Sequence, residues 1–222
     1  PMVRESPKDP FSHGEDGQAE NYLPDPLTPP NEKHAIDLII DIIKANPGEI
    51  YLVCTAPMSN VAMAMKKAPE IKSLIAGIYA ISGAFGLNPY AYANATGDTP
   101  QSEWNVYVDP EAANIVYHSG VKLVALGLDI ATHFDVNLTN EDIRLLEESP
   151  NPEAKFFRQA IRFVNGNGFE AYCAVIDCMA VGFAIDPTLV ETVSGHVGIE
   201  TKDGLTLGMT IFDRRHHFVW ED

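Results

Sequence analysis

Three short apolar runs, at residues 50–54, 75–81 and 121–129, constrain the fold of this chain more than any other feature. Runs of this length without polar alternation are typical of strands that are buried on both faces of a sheet. Helical patterns lie between the runs, and strands joined by helices run parallel. The sequence therefore predicts an α/β fold with a mainly parallel sheet flanked by helices.

Capping and stop signals predict the other elements. A C-terminal β-hairpin is expected from alternating residues 196–201 and 205–212 around a turn at Lys202-Asp203-Gly204. Residues 1–35 are rich in proline and predict an extended arm, and residues 87–101 predict a flexible surface loop. We expect one domain over residues 1–222. Helices are predicted at residues 35–43, at 61–67 with Ser59 or Asn60 as cap, from Asp109-Pro110 to Ser119, from a capping box at Thr139, from Asn151-Pro152 to residues 165–168, and at 172–185.

The composition narrows the classes of function. With 222 residues, of which 45% are hydrophobic and 21% charged, the chain can bury the core of one domain. Its formal net charge of −16 repels nucleic-acid backbones, so no nucleic-acid partner is expected. No apolar run is long enough for a membrane span, and no signal peptide is visible. Three cysteines without paired spacing predict buried free thiols, and the default location is cytoplasmic.

Several catalytic motifs are missing. The sequence contains no G-x-S-x-G, no P-loop, no G-x-G-x-x-G and no H-E-x-x-H. Triad hydrolases, NTPases, dinucleotide enzymes and zinc proteases of those types therefore lose support. An aspartate-rich loop of the form D-x-D-x-x-x-D-D is also absent.

Polar side chains cluster in the predicted loops at residues 55–60, 82–105 and 129–133. In parallel sheets, ligands bind beyond the carboxyl ends of the strands. Glu103 and Asn105 are two residues apart, so in an extended segment both would face one way and Trp104 the other. A carboxylate beside an amide suits sugar hydroxyls, although an exposed polar strand face explains the same spacing.

Asp177 stands inside the apolar run of residues 172–185. A charge in such a helix is costly unless it is paired or bound to a metal. Two interpretations remain open: a structural hydrogen bond or ion pair, and a metal ligand that points into a site.

The chain resembles the inosine/uridine-preferring nucleoside hydrolases. The matching segments occur in the family's order and cover nearly the whole chain. They are His13-Gly14-Glu15-Asp16-Gly17, Thr55-Ala56-Pro57-Met58-Ser59-Asn60-Val61-Ala62, Ile81-Ser82-Gly83-Ala84, Glu103-Trp104-Asn105, Asp109-Pro110-Glu111-Ala112-Ala113, Leu128-Asp129-Ile130-Ala131-Thr132-His133, Ile176-Asp177, Gly204-Leu205-Thr206-Leu207-Gly208-Met209-Thr210 and Asp213-Arg214-Arg215.

The resemblance implies hydrolysis of the N-glycosidic bond of ribonucleosides by a water that a calcium ion (Ca2+) activates. It implies that the carbonyl of Thr55 and the carboxylate of Asp177 are calcium ligands. Glu103 and Asn105 would hold ribose hydroxyls, with Asn94 as a further candidate in the same loop. Ile81 stands where the family often has a methionine beneath the ribose.

The sequence departs from the family at three places. The aspartate-rich loop, which carries the general base, would lie upstream of Pro1, and the family's last helix would follow Asp222. Ile176 occupies the position where many members have a histidine that protonates the leaving base. The fold is thus expected to be incomplete at both ends, and the resemblance identifies no catalytic residue.

Two main hypotheses follow from these departures. One is a nucleoside hydrolase of purine or pyrimidine salvage that is completed by a second chain carrying the aspartate-rich segment. The other is a non-catalytic relative with a binding or structural role; a generic α/β hydrolase is a third, more distant interpretation. The expected small-molecule partner is a nucleoside or a related ribosyl compound, and homo-oligomerisation is expected from the resemblance alone.

Overall fold

A computed structural model describes residue 2 and residues 4–215 of the chain. The single domain predicted over residues 1–222 is described only within these bounds, since Pro1, Val3 and residues 216–222 lie outside them. The described residues form an α/β fold with a parallel sheet, flanking helices and a C-terminal antiparallel strand pair, which confirms the predicted fold class.

The parallel sheet contains three strands in the order β1-β2-β3. The strands are β1 Ile50–Cys54, β2 Ile75–Ile81 and β3 Leu123–Leu126. In the ladder, Cys54 is level with Ala80, and Ile81 is level with Leu126. The three carboxyl ends therefore open at one edge of the sheet, where the polar loops follow.

Ten α-helices lie within the described residues. They are α1 Pro10–His13, α2 Ala35–Ala45, α3 Ser59–Lys67, α4 Tyr90–Ala93, α5 Trp104–Val108, α6 Pro110–Tyr117, α7 Leu128–Ala131, α8 Asn140–Glu148, α9 Pro152–Gly166 and α10 Cys178–Ile185. Short 3-10 helices cover Pro69–Ser73, Phe134–Val136, Ala171–Ala174 and Pro187–Leu189.

The two faces of β2 belong to two different cores. Ile78 and Ala80 are fully buried in the larger core, which α2, α3 and α6 complete. Tyr79 and Ile81 point to the opposite face and pack against α10. Burial on both faces explains why the segment shows no polar alternation.

The third strand is shorter than the predicted residues 121–129. It ends at Leu126, because Gly127 takes the N-cap position of α7. A Cβ atom at Gly127 would lie 2.8 Å from the carbonyl oxygen of Gly83, so only glycine fits this close approach. Asp129, which was expected at the end of the strand, lies in the helix instead.

The apolar run of residues 172–185 is not one helix, contrary to the prediction. A 3-10 turn at Ala171–Ala174 precedes α10, which begins only at Cys178. A continuous apolar run carries no period that could reveal such a break. Asp177 is the N-cap residue of α10 and not a charge in the interior of a helix, as the sequence had suggested.

The C-terminal strands pair as predicted, but their connection is longer. Strand β4 His196–Ile199 pairs antiparallel with β5 Thr210–Asp213. The second strand therefore begins after Leu205, where the prediction had placed its start. Two successive turns delay it, because the N–H of Leu207 donates to the carbonyl of Gly204 and that of Met209 to Thr206.

Two segments expected to be irregular contain ordered structure. The proline-rich arm carries α1 and a compact turn after it. The predicted flexible loop at residues 87–101 carries α4, whose first N–H groups, those of Tyr90 and Ala91, donate to the side-chain oxygen of Asn88. Local side-chain caps of this kind stabilise short helices that apolar periodicity does not reveal.

Most predicted helix caps are confirmed. Thr139 forms the capping box with Asp142, and Asp109 accepts a hydrogen bond from the N–H of Ala112. The cap of α3 is wrong, because Met58 occupies that position and the Ser59 hydroxyl donates to Asp109 instead.

The cysteines and helix lengths bear on two further expectations. The cysteines were predicted to be buried, but Cys54 and Cys173 are only partly buried and Cys178 is exposed. Within the part of the chain that the structure describes, none of the helices is long and apolar enough to cross a bilayer.

We predict that Asp109→Ala lowers the free energy of unfolding by about 3 kcal/mol. Asp109 is fully buried and accepts hydrogen bonds from Ser59, Ala112 and the backbone N–H of Met2, so the change removes a helix cap and two further charged hydrogen bonds. Urea unfolding followed by circular dichroism measures the loss.

Thr139→Ala is the matched control, because it removes an exposed cap and should cost only about 1 kcal/mol. Equal losses in the two variants would mean that the buried contacts of Asp109 add nothing to its capping role.

Candidate functional site

A cavity of about 670 Å³ lies at the carboxyl edge of the parallel sheet. Its walls come from the strand ends, from the segment that surrounds α4 and α5, from the N-terminal arm, and from α9 with the residues after it. The lining residues are Thr55 and Ile81; 93–96 and 103–105; Asp9, Ser12, His13 and 17–19; Leu128 and Thr132; and Phe156, Ala160, Val164, 168–170, Cys173, Ala174, Ile176 and Asp177.

All six residues that the sequence nominated line this one cavity. They are Thr55, Ile81, Asn94, Glu103, Asn105 and Asp177. Ile176, at the position of the family histidine, lines it too. The fold thus brings together residues that are more than 120 positions apart along the chain, while their individual roles remain predictions.

Glu103 and Asn105 reach the cavity through a helix start and not through an extended strand. Glu103 is the N-cap residue of α5. One carboxylate oxygen, Oε1, accepts the N–H of Asn105 at 2.7 Å, and Oε2 accepts the N–H groups of Val106 and Gly83, each at 3.1 Å. The carboxylate therefore ties the end of β2 to the first turn of α5.

Asn105 is oriented by the end of the neighbouring strand. Its Nδ2 donates to the carbonyl oxygen of Ile81 at 3.0 Å. This bond uses the amide nitrogen and leaves the Oδ1 atom available as an acceptor. Trp104 also lines the cavity, so the prediction that it faces away from Glu103 and Asn105 is wrong. Its indole adds an apolar surface that the spacing did not suggest.

Burial changes the acid–base behaviour of Glu103. The side chain is almost completely buried, and loss of hydration raises the pKa of its carboxyl from 4.5 to about 7. The three backbone N–H donors oppose this shift, and Asp177 adds to it. Near neutral pH, Glu103 can therefore either accept or donate a hydrogen bond in the cavity.

A second buried polar pair lies near Glu103 at the end of β2. The hydroxyl of Tyr117 donates to the Oγ atom of Ser82 at 3.0 Å, directly after β2. Burial raises the pKa of the Tyr117 phenol well above its usual value, so the group stays neutral. Neither residue was identified from the sequence, since a serine and a tyrosine 35 positions apart form no recognisable motif.

Asp177 presents its carboxylate at the cavity wall. Its side chain makes no capping hydrogen bond to α10. The cavity walls remove part of its hydration and raise the pKa of its carboxyl, whereas the nearby His13 acts in the opposite direction. An unused carboxylate of this kind can bind a cation or a hydroxyl group.

His13 is a cavity residue that the sequence did not nominate for a role. It comes from the N-terminal arm, at the end of α1. Its Nδ1 lies 3.0 Å from the Oγ atom of Ser12 and 3.6 Å from a carboxylate oxygen of Asp9. The segment His13-Gly14-Glu15-Asp16-Gly17 carried part of the family resemblance, and that was the available signal.

The assignment of Thr55 and Asp177 as metal ligands stays a prediction. Thr55 and Asp177 both line the cavity. Among the described residues, however, no group of three or more His, Cys, Asp or Glu side chains is arranged to hold a metal ion. Calcium takes about six to eight oxygen ligands, which include backbone carbonyls, amide oxygens and water besides carboxylates.

Comparison with known proteins identifies a family of enzymes to which this chain is similar. Residues 1–222 match the family described as inosine-uridine preferring nucleoside hydrolase. The chain is 32% identical over 210 residues to a pyrimidine-specific ribonucleoside hydrolase, RihA, of Salmonella newport, with 90% of this chain and 63% of the relative covered. It is 34% identical over 206 residues to the pyrimidine-specific RihB of Escherichia coli, covering 90% of this chain and 62% of that relative.

Solved structures lead to the same family. A plant nucleoside hydrolase, PpNRh1, superimposes with a TM-score of 0.79 at 26% identity, covering 97% of this chain and 66% of that one. A purine-preferring ribonucleoside hydrolase from Gardnerella vaginalis gives a TM-score of 0.78 at 31% identity, covering 92% and 63%. The chain thus spans somewhat less than two thirds of the length of most of these relatives.

We predict that the stability of the protein falls as the pH rises from about 4.5 to 7, and that Glu103→Gln removes part of this fall. The folded state holds the Glu103 proton more tightly than the unfolded chain does, so deprotonation in this window favours unfolding. The contribution is about 3 kcal/mol across the window. Urea unfolding at a series of pH values measures it.

Glu15→Gln is the matched control, because Glu15 is exposed in the arm. Parallel pH profiles for wild type and Glu103→Gln would show that Glu103 does not titrate in this range.

Proposed function

The chain belongs to the inosine-uridine preferring nucleoside hydrolase family, and we propose that it hydrolyses the N-glycosidic bond of ribonucleosides in the cavity at the sheet edge. The observation that carries this proposal is the convergence of Glu103, Asn105 and Asp177 on one cavity. A volume of about 670 Å³ lies within the range typical of small-molecule sites.

The polar end of the cavity suits a ribose. Glu103 and the free Oδ1 of Asn105 offer acceptors to adjacent sugar hydroxyls, and Asn94 adds an amide on the same wall. Trp104, Phe156 and Phe169 provide flat apolar surfaces for the sugar and the base. The lining thus offers both hydrogen-bonding and aromatic groups, which the two halves of a nucleoside require.

The acidic groups also suit the charge that develops during cleavage. Glycoside hydrolysis passes through an oxocarbenium-like transition state, in which positive charge builds on the sugar. The side chains of Asp177 and of deprotonated Glu103 place negative charge on the lining of the cavity, where part of their hydration is lost. Preorganised negative charge in such a cavity stabilises the transition state more than it stabilises the neutral substrate.

Protonation of the leaving base falls to His13 in this proposal, because the isoleucine at position 176 has no proton to transfer. The imidazolium gives its proton to a ring nitrogen of the base as the C1′–N bond breaks. The electron pair of the C1′–N bond stays with the base, water adds its hydroxyl to C1′, and the proton that water loses passes to solvent, from which His13 regains one. His13 fits this role because it lines the cavity and lies close enough to Asp177 to affect that carboxylate.

A calcium ion remains part of the proposal. Asp177 and the carbonyl of Thr55 would supply two of its oxygen ligands. The described residues contain no group of three or more His, Cys, Asp or Glu side chains that could hold the ion, so further ligands are proposed to come from elsewhere. A second chain with an aspartate-rich segment, or a homo-oligomer, are proposed sources. Native mass spectrometry with calcium would detect either assembly. Cytoplasmic location and a role in nucleoside salvage likewise remain predictions.

The base preference is left open, since the relatives include pyrimidine-specific and purine-preferring enzymes. The isoleucine at position 176 of the cavity lining favours one alternative function, a non-catalytic protein that binds nucleosides. That alternative predicts saturable ribonucleoside binding without release of the free base, which chromatography of the reaction mixture distinguishes from hydrolysis.

We predict that His13→Gln lowers kcat for ribonucleosides by about 10²- to 10³-fold but changes the hydrolysis of 4-nitrophenyl riboside by less than about threefold. A nitrophenolate leaves without protonation, so it does not need the acid. His34→Gln, which changes a histidine outside the cavity, is the control. Equal losses on both substrates would contradict the role of His13 as the acid.

We predict that Asp177→Asn weakens calcium binding by at least about tenfold while leaving the fold intact. The substitution keeps the size of the side chain but removes its charge. Isothermal titration measures calcium affinity, and thermal unfolding without calcium reports the fold. Asp186→Asn is the control, since Asp186 lies at the other end of α10. Unfolding of Asp177→Asn with no calcium effect in either form would assign Asp177 a structural role.

A further inference from the structure

A strained turn follows His13 in the N-terminal arm. Ala19, Glu20 and Tyr22 have φ angles of 56°, 56° and 46°. L-residues with side chains rarely adopt this left-handed region, and three of them within four positions is unusual. Such strain persists only where other interactions determine the backbone conformation.

The carboxylate of Asp16 supplies those interactions. One oxygen, Oδ1, accepts the backbone N–H groups of Gln18 at 2.8 Å and Glu20 at 2.9 Å. The other, Oδ2, accepts the N–H of Tyr22 at 3.0 Å. These backbone donors, that of Tyr22 most strongly, hold the pKa of the Asp16 carboxyl below its usual value, which shows that the charged form is the one they stabilise.

The turn closes at His13. The N–H of Ala19 donates to the carbonyl oxygen of His13 at 2.8 Å, and the N–H of Gly17 donates to that of Gly14 at 3.2 Å. The position of His13 is therefore coupled to the left-handed residues. If the turn opened at Ala19, the carbonyl of His13 would lose its partner.

The same turn docks on α9 and forms a wall of the cavity. Gln159 donates to the carbonyl of Ala19 at 3.3 Å, and Asn21 donates to that of Phe156 at 3.4 Å. The ring of Phe11 packs edge-on against Phe169 with centroids 5.3 Å apart. These contacts hold residues 17–19 along the cavity lining.

We propose that Asp16 is a positioning residue, which holds the turn of residues 13–22 as a wall of the cavity and thereby places His13 at the leaving-base end. The carboxylate itself does not line the cavity, so it acts through the backbone that it binds. The placement of the turn stands on the hydrogen bonds alone, while the catalytic consequence rests on the proposed function.

The test uses Asp16→Ala and Asp16→Asn, with Asp25→Ala as the matched control from the exposed part of the arm. Asp16→Ala is expected to lower kcat for ribonucleosides by about 10- to 100-fold, because misplacement by about 1 Å is costly in catalysis. Hydrolysis of 4-nitrophenyl riboside should change by less than about threefold, since its leaving group needs no proton. Asp16→Asn keeps one acceptor oxygen and should fall between Asp16→Ala and wild type.

A rescue variant separates positioning from general loss of stability. Adding Ala19→Gly to Asp16→Ala relieves the left-handed strain without restoring the carboxylate. It should recover part of the lost kcat for ribonucleosides. An equal fall on both substrates, or a recovery of thermal stability without recovery of kcat, would overturn the proposal.

Hydrogen exchange keeps the test independent of catalysis. The amides of Gln18, Glu20 and Tyr22 should exchange at least about tenfold faster in Asp16→Ala, and those of the sheet should not change. Unchanged exchange at these three amides would overturn the proposal even if activity fell. If wild type hydrolyses neither substrate, the proposed function fails, and faster exchange confined to the turn would still support the placement by Asp16.

Discussion

The carboxylate of Glu103 is the interaction on which the architecture of the cavity depends. It is buried where β2 ends, and its three backbone donors come from two different elements, the loop at Gly83 and the first turn of α5. Gly83 has a φ of +90°, and a Cβ atom there would meet the ring of Phe85, so the loop can approach the carboxylate only as glycine. The hydrogen bonds that satisfy Glu103 also hold the first turn of α5. They therefore both position the side chain of Asn105 and stabilise this edge of the sheet. A buried acid with a pKa near 7 is the consequence, since backbone donors offset only part of the lost hydration.

The parallel sheet explains why residues distant in sequence meet. Each strand end delivers one group to the same edge: Thr55 after β1, Ile81 with its carbonyl bond to Asn105 at the end of β2, and the α7 segment after β3. Helix α10 then packs on the face of β2 that carries Tyr79 and Ile81, and its N-terminus sets Asp177 beside them. The helix starts so close to the site that a small shift of α10 would move the carboxylate. For this reason the position of Asp177 depends on where α10 begins, at Cys178, more than on the length of the helix.

The sequence predicted what depends on local pattern and on strong signals. Strands β1 and β2 and helices α6, α8 and α9 carry apolar runs or proline, aspartate and threonine caps, and their positions were predicted closely. The six nominated residues converge because the order of parallel strands fixes where loops meet, which holds whatever their roles are. The errors arose where the pattern carries no information. An uninterrupted apolar run cannot show where a helix begins, and glycines at positions such as 127 end a strand for reasons of tertiary contact. The spacing of Glu103 and Asn105 suggested a common face, but a helix cap and not strand alternation provides it.

The N-terminal arm is the part that sequence patterns described least, and it carries the acid of the proposed function. With isoleucine at position 176, the wall beside Asp177 can exclude water but cannot transfer a proton. The arm contributes His13, with Asp9 and Ser12 around it, and these groups can take part in proton transfer. They reach the cavity because the arm packs against α9 and the residues that follow it. Sheet residues are held by a cooperative core, whereas the turn is held by a few side-chain hydrogen bonds and a carboxylate that offsets backbone strain. In the proposed function, ribose recognition and leaving-group chemistry therefore rest on supports of different stability. Substitutions in the arm should alter the chemistry of the base while leaving the sugar end and the fold nearly unchanged.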